Sequence, residues 1–148
     1  MQKELTLFKE LFQPFENIAI LHINCDTTFL NETLQEVTTQ YNGEVKTIAF
    51  KTQTDAKLKG VAREYEYIVL SNIFTHCPQS NKIMALMYKA LENSGNIIIL
   101  EPKENANEDA IIELLDKTSF VAINNIDDLF KQYNCITAKK LHMWGSSL

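Results

Sequence analysis

Three short runs, Ile18 to Ile23, Tyr67 to Leu70 and Ile97 to Leu100, are apolar almost throughout instead of alternating, and each is followed by a segment with apolar residues at helical spacing. A strand that reads this way is covered on both faces. Such strands belong to parallel sheets, because the crossover connection between parallel neighbours lays a helix against the sheet. The pattern therefore predicts an α/β three-layer sandwich around a mostly parallel, doubly wound sheet.

The remaining elements fall into place around these runs. Leu5, Phe8, Leu11, Phe12 and Phe15 share one helical face ahead of the first strand, and Pro14 with Asn17 closes that helix. After Asn24-Cys25-Asp26-Thr27 come Leu30, Leu34, Val37 and Tyr41 at helical spacing, with Thr27 or Thr28 as the cap. Asn42-Gly43 is a turn signal, and Val45 to Phe50 reads as the second strand and a sheet edge, guarded by Lys46 and Lys51. Lys51 to Glu66 is a polar connector with room for a short helix from Ala56 to Arg63.

Beyond the Tyr67 to Leu70 strand, Ile83, Leu86, Met87, Ala90 and Leu91 mark a helix, which Asn93-Ser94-Gly95-Asn96 stops. Asn107 with Glu108 and Asp109 predicts a capped helix start after the Ile97 to Leu100 strand. From Phe120 the pattern changes to a strand, a brief helical stretch at Asp127 to Gln132 and a last strand from Cys135 to Met143. With no long helix between them, the final two strands are expected to pair antiparallel.

Composition narrows the function. At 148 residues the chain is expected to be one domain, 1–148, because half of it would bury too little surface to fold alone. A net charge of -5 argues against nucleic acid as a ligand, since that binding depends on clustered Lys and Arg. No apolar run approaches the roughly 18 to 20 residues of a membrane span, and the first residues lack a signal peptide's apolar stretch. The expectation is a cytoplasmic protein without a membrane partner. Cys25, Cys77 and Cys135 are odd in number and lack CxxC spacing, so neither a disulfide framework nor a metal site is expected.

The order of elements and several strings resemble the class I S-adenosylmethionine-dependent methyltransferases from Ile18 to Trp144. Glu66-Tyr67-Ile68-Val69-Leu70-Ser71-Asn72 is similar to the family's fourth-strand segment. Leu91-Glu92-Asn93-Ser94-Gly95-Asn96-Ile97-Ile98-Ile99 is similar to the turn before its fifth strand, and Glu101-Pro102 to a common ending. The first half departs from the family. There the resemblance implies a glycine-rich turn that lets the cofactor lie against bare backbone, and Asn24, Asp26 and Thr28 stand where those glycines would be. It also implies an acidic residue after the second strand to hold the ribose, where this sequence reads Ala49-Phe50-Lys51-Thr52, with Asp55 a few residues late. The family's usual third strand is missing as well.

By position, the candidate cofactor contacts are Asn24, Asp26, Thr28 and Asn72. Asp26 serves equally to cap the following helix, and Asn72 equally as a strand-ending turn residue. His76 and Cys77 are candidate substrate contacts. With Cys25 they fall just past the ends of neighbouring strands, an arrangement open to thiol chemistry, although free cysteine more often packs as a small hydrophobe. His22 reads as a satisfied core histidine, and Glu101, Lys103 and Glu104 as a solvated loop. No catalytic residue is assigned, since neither a G-x-S-x-G nor a P-loop occurs.

These readings predict a methyltransferase-like domain with a degraded S-adenosylmethionine site, binding the cofactor weakly or not at all. Its role is then that of a binding or assembly module, with a second copy or another protein as partner. The alternatives are an active methyltransferase with a divergent first loop and a different doubly wound binder.

Overall fold

A computed structural model describes residues 2–50, 63–76, 80–105 and 107–141. In chain order the elements are α1 (Gln2–Lys9), β1 (Ala19–Asn24), α2 (Asn31–Thr39), β2 (Glu44–Ala49), β3 (Tyr65–Ser71), α3 (Ser80–Ala90) and β4 (Leu91–Pro102). A 3-10 turn (Lys103–Asn105), α4 (Glu108–Lys117), β5 (Phe120–Asn125) and β6 (Tyr133–Lys140) complete them. The strands form one six-stranded sheet in the order β2-β1-β3-β4-β6-β5. Strands β2, β1, β3 and β4 run parallel, while β6 is antiparallel to both of its neighbours. Among the described residues no helix is long and apolar enough to cross a membrane.

Both faces of the sheet are covered, as the unbroken apolar runs require. On one face Leu21, Ile23, Ile68, Leu70, Ile97 and Ile99 meet Ile83, Met84 and Met87 of α3 and Ile111 and Leu115 of α4. On the other, Ile20, Val69, Ile98 and Leu100 meet Phe8 of α1 and Leu34 and Val37 of α2. Burying each such side chain contributes about 1.5–3 kcal/mol, so the central strands carry most of the driving force.

The boundaries differ from expectation in several places. Helix α1 ends at Lys9, and Phe15 is 48% exposed instead of sharing the buried face. Past Phe12, which is buried, the chain leaves the helix so that the Gln13 amide donates to the Tyr67 hydroxyl at 2.9 Å. Helix α2 starts only at Asn31, and Leu30 occupies its N-cap with no side-chain cap. Thr27 is drawn away from capping because its hydroxyl donates to the Cys25 carbonyl.

Helix α3 stops at Ala90, before the expected Asn93 turn, since Leu91 already pairs with Tyr65. The register shifts between there and the Tyr67–Asn96 pair, across a stretch in which Ser94 has φ of 66°. Residues 127–132 form turns and bends, not a helix. Strand β6 begins two residues earlier than expected, at Tyr133. The expected helix from Ala56, the Lys51 and Asp55 positions, Cys77 and the stretch from His142 through Trp144 lie outside the described residues.

Candidate functional site

The topology brings the carboxyl ends of β1 and β3 side by side at the centre of the sheet, with Asn24 paired to Ser71. The Cys25 amide donates to the Ser71 carbonyl at 3.0 Å, extending this pairing one residue into the turn. On the other side, the Phe50 amide donates to the Asn24 carbonyl at 2.7 Å. The Asn72 amide donates to the Leu100 carbonyl at 2.8 Å, and its side-chain Nδ2 to the Cys25 carbonyl at 3.2 Å. The loops that leave β1 and β3 are thus tied to each other as well as to neighbouring strands.

Both loops turn through left-handed backbone. Asp26 has φ of 53° and Asn72 of 60°, a region that costs Asp and Asn less than other side-chain-bearing residues. Of the four expected cofactor contacts, Asn24, Asp26 and Asn72 stand together here. Asn24 is buried at 3% exposure, whereas Asp26 is exposed. Thr28 is exposed further along the turn, where its carbonyl accepts from the Asn31 amide at the start of α2. The Oδ1 of Asn72 is buried and has no partner among the described residues.

The stretch after β2, where the resemblance implies a ribose contact, is described only as far as Phe50. Strand β2 ends at Ala49, and the next residue, Phe50, is 4% exposed and packs in the same cluster as Ile23, Cys25 and Ile73. An aromatic ring thus follows the last residue of β2, and Asp55 lies outside the described residues.

Of the thiol candidates, Cys25 is buried, and burial pushes its thiol pKa up, with Asp26 and Glu101 adding to the effect. All three causes disfavour the thiolate, which is the reactive form. His76 is exposed at the end of the post-β3 loop, its amide donating to the Ile73 carbonyl. Among the described residues no three His, Cys, Asp or Glu side chains cluster as metal ligands.

His22 is fully buried, as expected of a core histidine. Its Nδ1 lies 3.0 Å from Asn31 Oδ1 and its Nε2 2.9 Å from Ser71 Oγ. Both nitrogens of a neutral ring are satisfied if Nδ1 donates to Asn31 and Nε2 accepts from Ser71.

One residue was misread from sequence. Glu101 is 1% exposed, not part of a solvated loop. Its carboxylate accepts from the Phe74 amide at 3.1 Å, the Thr75 amide at 3.2 Å, the Thr75 hydroxyl at 2.7 Å and Asn107 Nδ2 at 3.1 Å. The legible signal was alternation: Ile97 and Ile99 point to the α3 and α4 face, and Glu101 is the next residue with that phase.

No family model matches the sequence. A Plasmodium falciparum (isolate 3D7) protein described as ABC transporter ATM1 is 30% identical over 141 residues, an alignment that takes in 87% of this chain and 12% of that protein. Solved structures give a wider view. Phosphoethanolamine N-methyltransferase 2 of Haemonchus contortus, in complex with S-adenosyl-L-methionine, superposes with a TM-score of 0.69 at 12% identity, covering 95% of this chain and 52% of that one. A SAM-dependent methyltransferase from Aquifex aeolicus gives 0.68 at 10% identity, with 93% and 89% covered. One from Archaeoglobus fulgidus gives 0.66 at 12% identity, with 94% and 93% covered.

The chain has the class I methyltransferase fold. It spans about half the length of the Haemonchus enzyme but nearly all of the Aquifex and Archaeoglobus proteins. In this methyltransferase fold, Asn24, Asp26 and Asn72 occupy the two central strand ends, where an open α/β sheet presents its ligand crevice.

Proposed function

We propose that this chain is a methyltransferase-fold domain serving as a binding or assembly module, with a first turn that does not hold S-adenosylmethionine. The observation that carries this reading is the turn after β1. Its glycine positions hold Asn24, Asp26 and Thr28, and the side chain of Asn24 is buried. Phe50 offers no acceptor for ribose hydroxyls, and the Asn72 amide group is engaged by the Cys25 carbonyl. A cofactor entering here has to displace protein contacts before it makes its own. In this reading the partner is another protein or a second copy of the chain, met at the outer edge of β2, which pairs only with β1 among the described strands.

Thermal unfolding with and without S-adenosylmethionine and S-adenosylhomocysteine tests the proposal. A ligand at 100 times its dissociation constant stabilises the native state by about 2.7 kcal/mol, which moves the midpoint by several degrees in a domain of this size. The expected outcome is no shift at millimolar ligand, and a clear shift overturns the proposal.

A second reading, an active methyltransferase with a divergent first loop, draws on the buried unpaired Oδ1 of Asn72. That acceptor suits an N–H donor such as the cofactor's amino group, with Asn24 or Asp26 at the methionine moiety and His76 toward the substrate. Under this reading Asp26→Ala and Asn72→Ala each weaken binding in calorimetric titration while leaving the fold intact.

A further inference from the structure

We infer that Glu101 is a latch that holds the post-β3 loop and the start of α4 in place from the end of β4. The strand's alternation carries the carboxylate into the layer where Ile97 and Ile99 meet the helices, so Glu101 enters the core from the same side as an apolar residue would. A carboxylate can be buried there only if its oxygens are occupied. Both are: the Thr75 amide, the Thr75 hydroxyl and Asn107 Nδ2 converge on Oε1, and the Phe74 amide donates to Oε2. All four donors are neutral. Among the described residues the contacts therefore depend on the loop's shape and on no paired cation.

Two features show that the latch prevails over local preferences. Asn107 stands at the N-cap of α4 yet makes no side-chain cap, because its Nδ2 donates to Glu101 instead. Turning the amide that way leaves Asn107 Oδ1 buried with no partner among the described residues, a cost the carboxylate contact outweighs. Thr75, for its part, sits between Asn105 Nδ2, from which its hydroxyl accepts at 2.7 Å, and Glu101, to which it donates at 2.7 Å. Such a chain strengthens each bond through its neighbour and ends on a charge.

The loop held in this way begins at Asn72, which reaches back to the Cys25 carbonyl. Glu101 thus holds the described part of the post-β3 loop, at Phe74 and Thr75, together with Asn107 at the start of α4. The inference does not depend on whether a cofactor binds.

The test is Glu101→Gln, followed by amide hydrogen exchange in the protein alone. Glutamine keeps one carbonyl oxygen but turns an NH2 group toward donors, so at least one of the loop amides loses its acceptor. Exchange at Phe74 and Thr75 should quicken by about 10- to 100-fold, the factor for a lost hydrogen bond to a charged group, while Leu70 and Ile98 in the central strands hold their rates. The exposed Glu104→Gln serves as control and should change nothing. Unchanged exchange at Phe74 and Thr75 in folded Glu101→Gln overturns the latch. Should that variant fail to fold, Thr75→Val, which deletes only the hydroxyl donor, decides instead: faster exchange at those amides supports the latch and unchanged exchange refutes it.

Discussion

Ser71, His22 and Asn31 line up as a hydroxyl, an imidazole and an amide, the order of a nucleophile, its base and its orienting group. His22 and Ser71 are both fully buried, so no substrate reaches the hydroxyl, and the set works as a clasp joining β1, β3 and the first residue of α2. Ser71→Ala leaves Nε2 buried without a donor and should cost about 1–3 kcal/mol in urea unfolding at neutral pH. A loss below about 0.5 kcal/mol, the scatter of neutral substitutions, would mean that the Ser71 contact is not formed. At this scale the sequence was partly legible. His22 inside an apolar run reads as a core residue, but Asn31 and Ser71 become its partners through the placement of α2 and the β1–β3 register, which one sequence does not display. Glu101 was hidden for the opposite reason: its phase was visible, whereas the donors that make its burial tolerable come from two other segments.

Elements were read more securely than their ends. Every predicted strand from Ile18 to Leu100 is present, because apolar periodicity reports burial directly. The start of α2 was misplaced because Thr27 has a stronger local partner in the Cys25 carbonyl, whereas α4 starts at Glu108 behind Asn107 as expected, with only the side-chain cap diverted to Glu101. The Asn42-Gly43 turn was legible, and the structure supplies its reason. A Cβ on Gly43 would stand 2.3 Å from the Ile18 carbonyl oxygen and 2.6 Å from Ile18 Cγ2. That carbonyl accepts from the Glu44 amide, the first bond that seats β2 on β1, and Ile18 is fully buried. Gly43→Ala must therefore push β2 away from β1, at a cost of at least about 1–3 kcal/mol by analogy with overpacked sites. Denaturant unfolding measures the loss, and amide exchange within Val45 to Ile48 should rise more than in β3. A variant as stable as the parent would show that the α2–β2 junction yields without strain.

Across the whole molecule, ionisable groups wholly or partly withdrawn from water set how stability follows pH, and two of them pull in opposite directions. Burial lowers the His22 pKa from 6.5 to about 4, only partly opposed by the Asn31 hydrogen bond. The unfolded chain thus takes up a proton below pH 6.5 that the folded chain refuses until about pH 4, and stability falls as pH drops through that window. A shift of this size corresponds to a loss of roughly 3 kcal/mol once the pH is at or below the lower value. Glu66 acts the other way. Burial, reinforced by Glu92, raises its pKa above the ordinary 4.5, despite the Ala19 amide that donates to it. An acid with a raised folded pKa regains stability as pH falls through that raised value, so Glu66 offsets part of the His22 loss near the acid end of the window. Urea unfolding at steps from pH 7 to pH 4 should therefore show a net decline shallower than His22 alone dictates. Glu66→Gln keeps a carbonyl oxygen for the Ala19 amide and removes the compensating proton, so its decline should be steeper than the parent's. A flat profile in the parent would exclude a buried neutral His22, and equal slopes in parent and variant would exclude the Glu66 contribution.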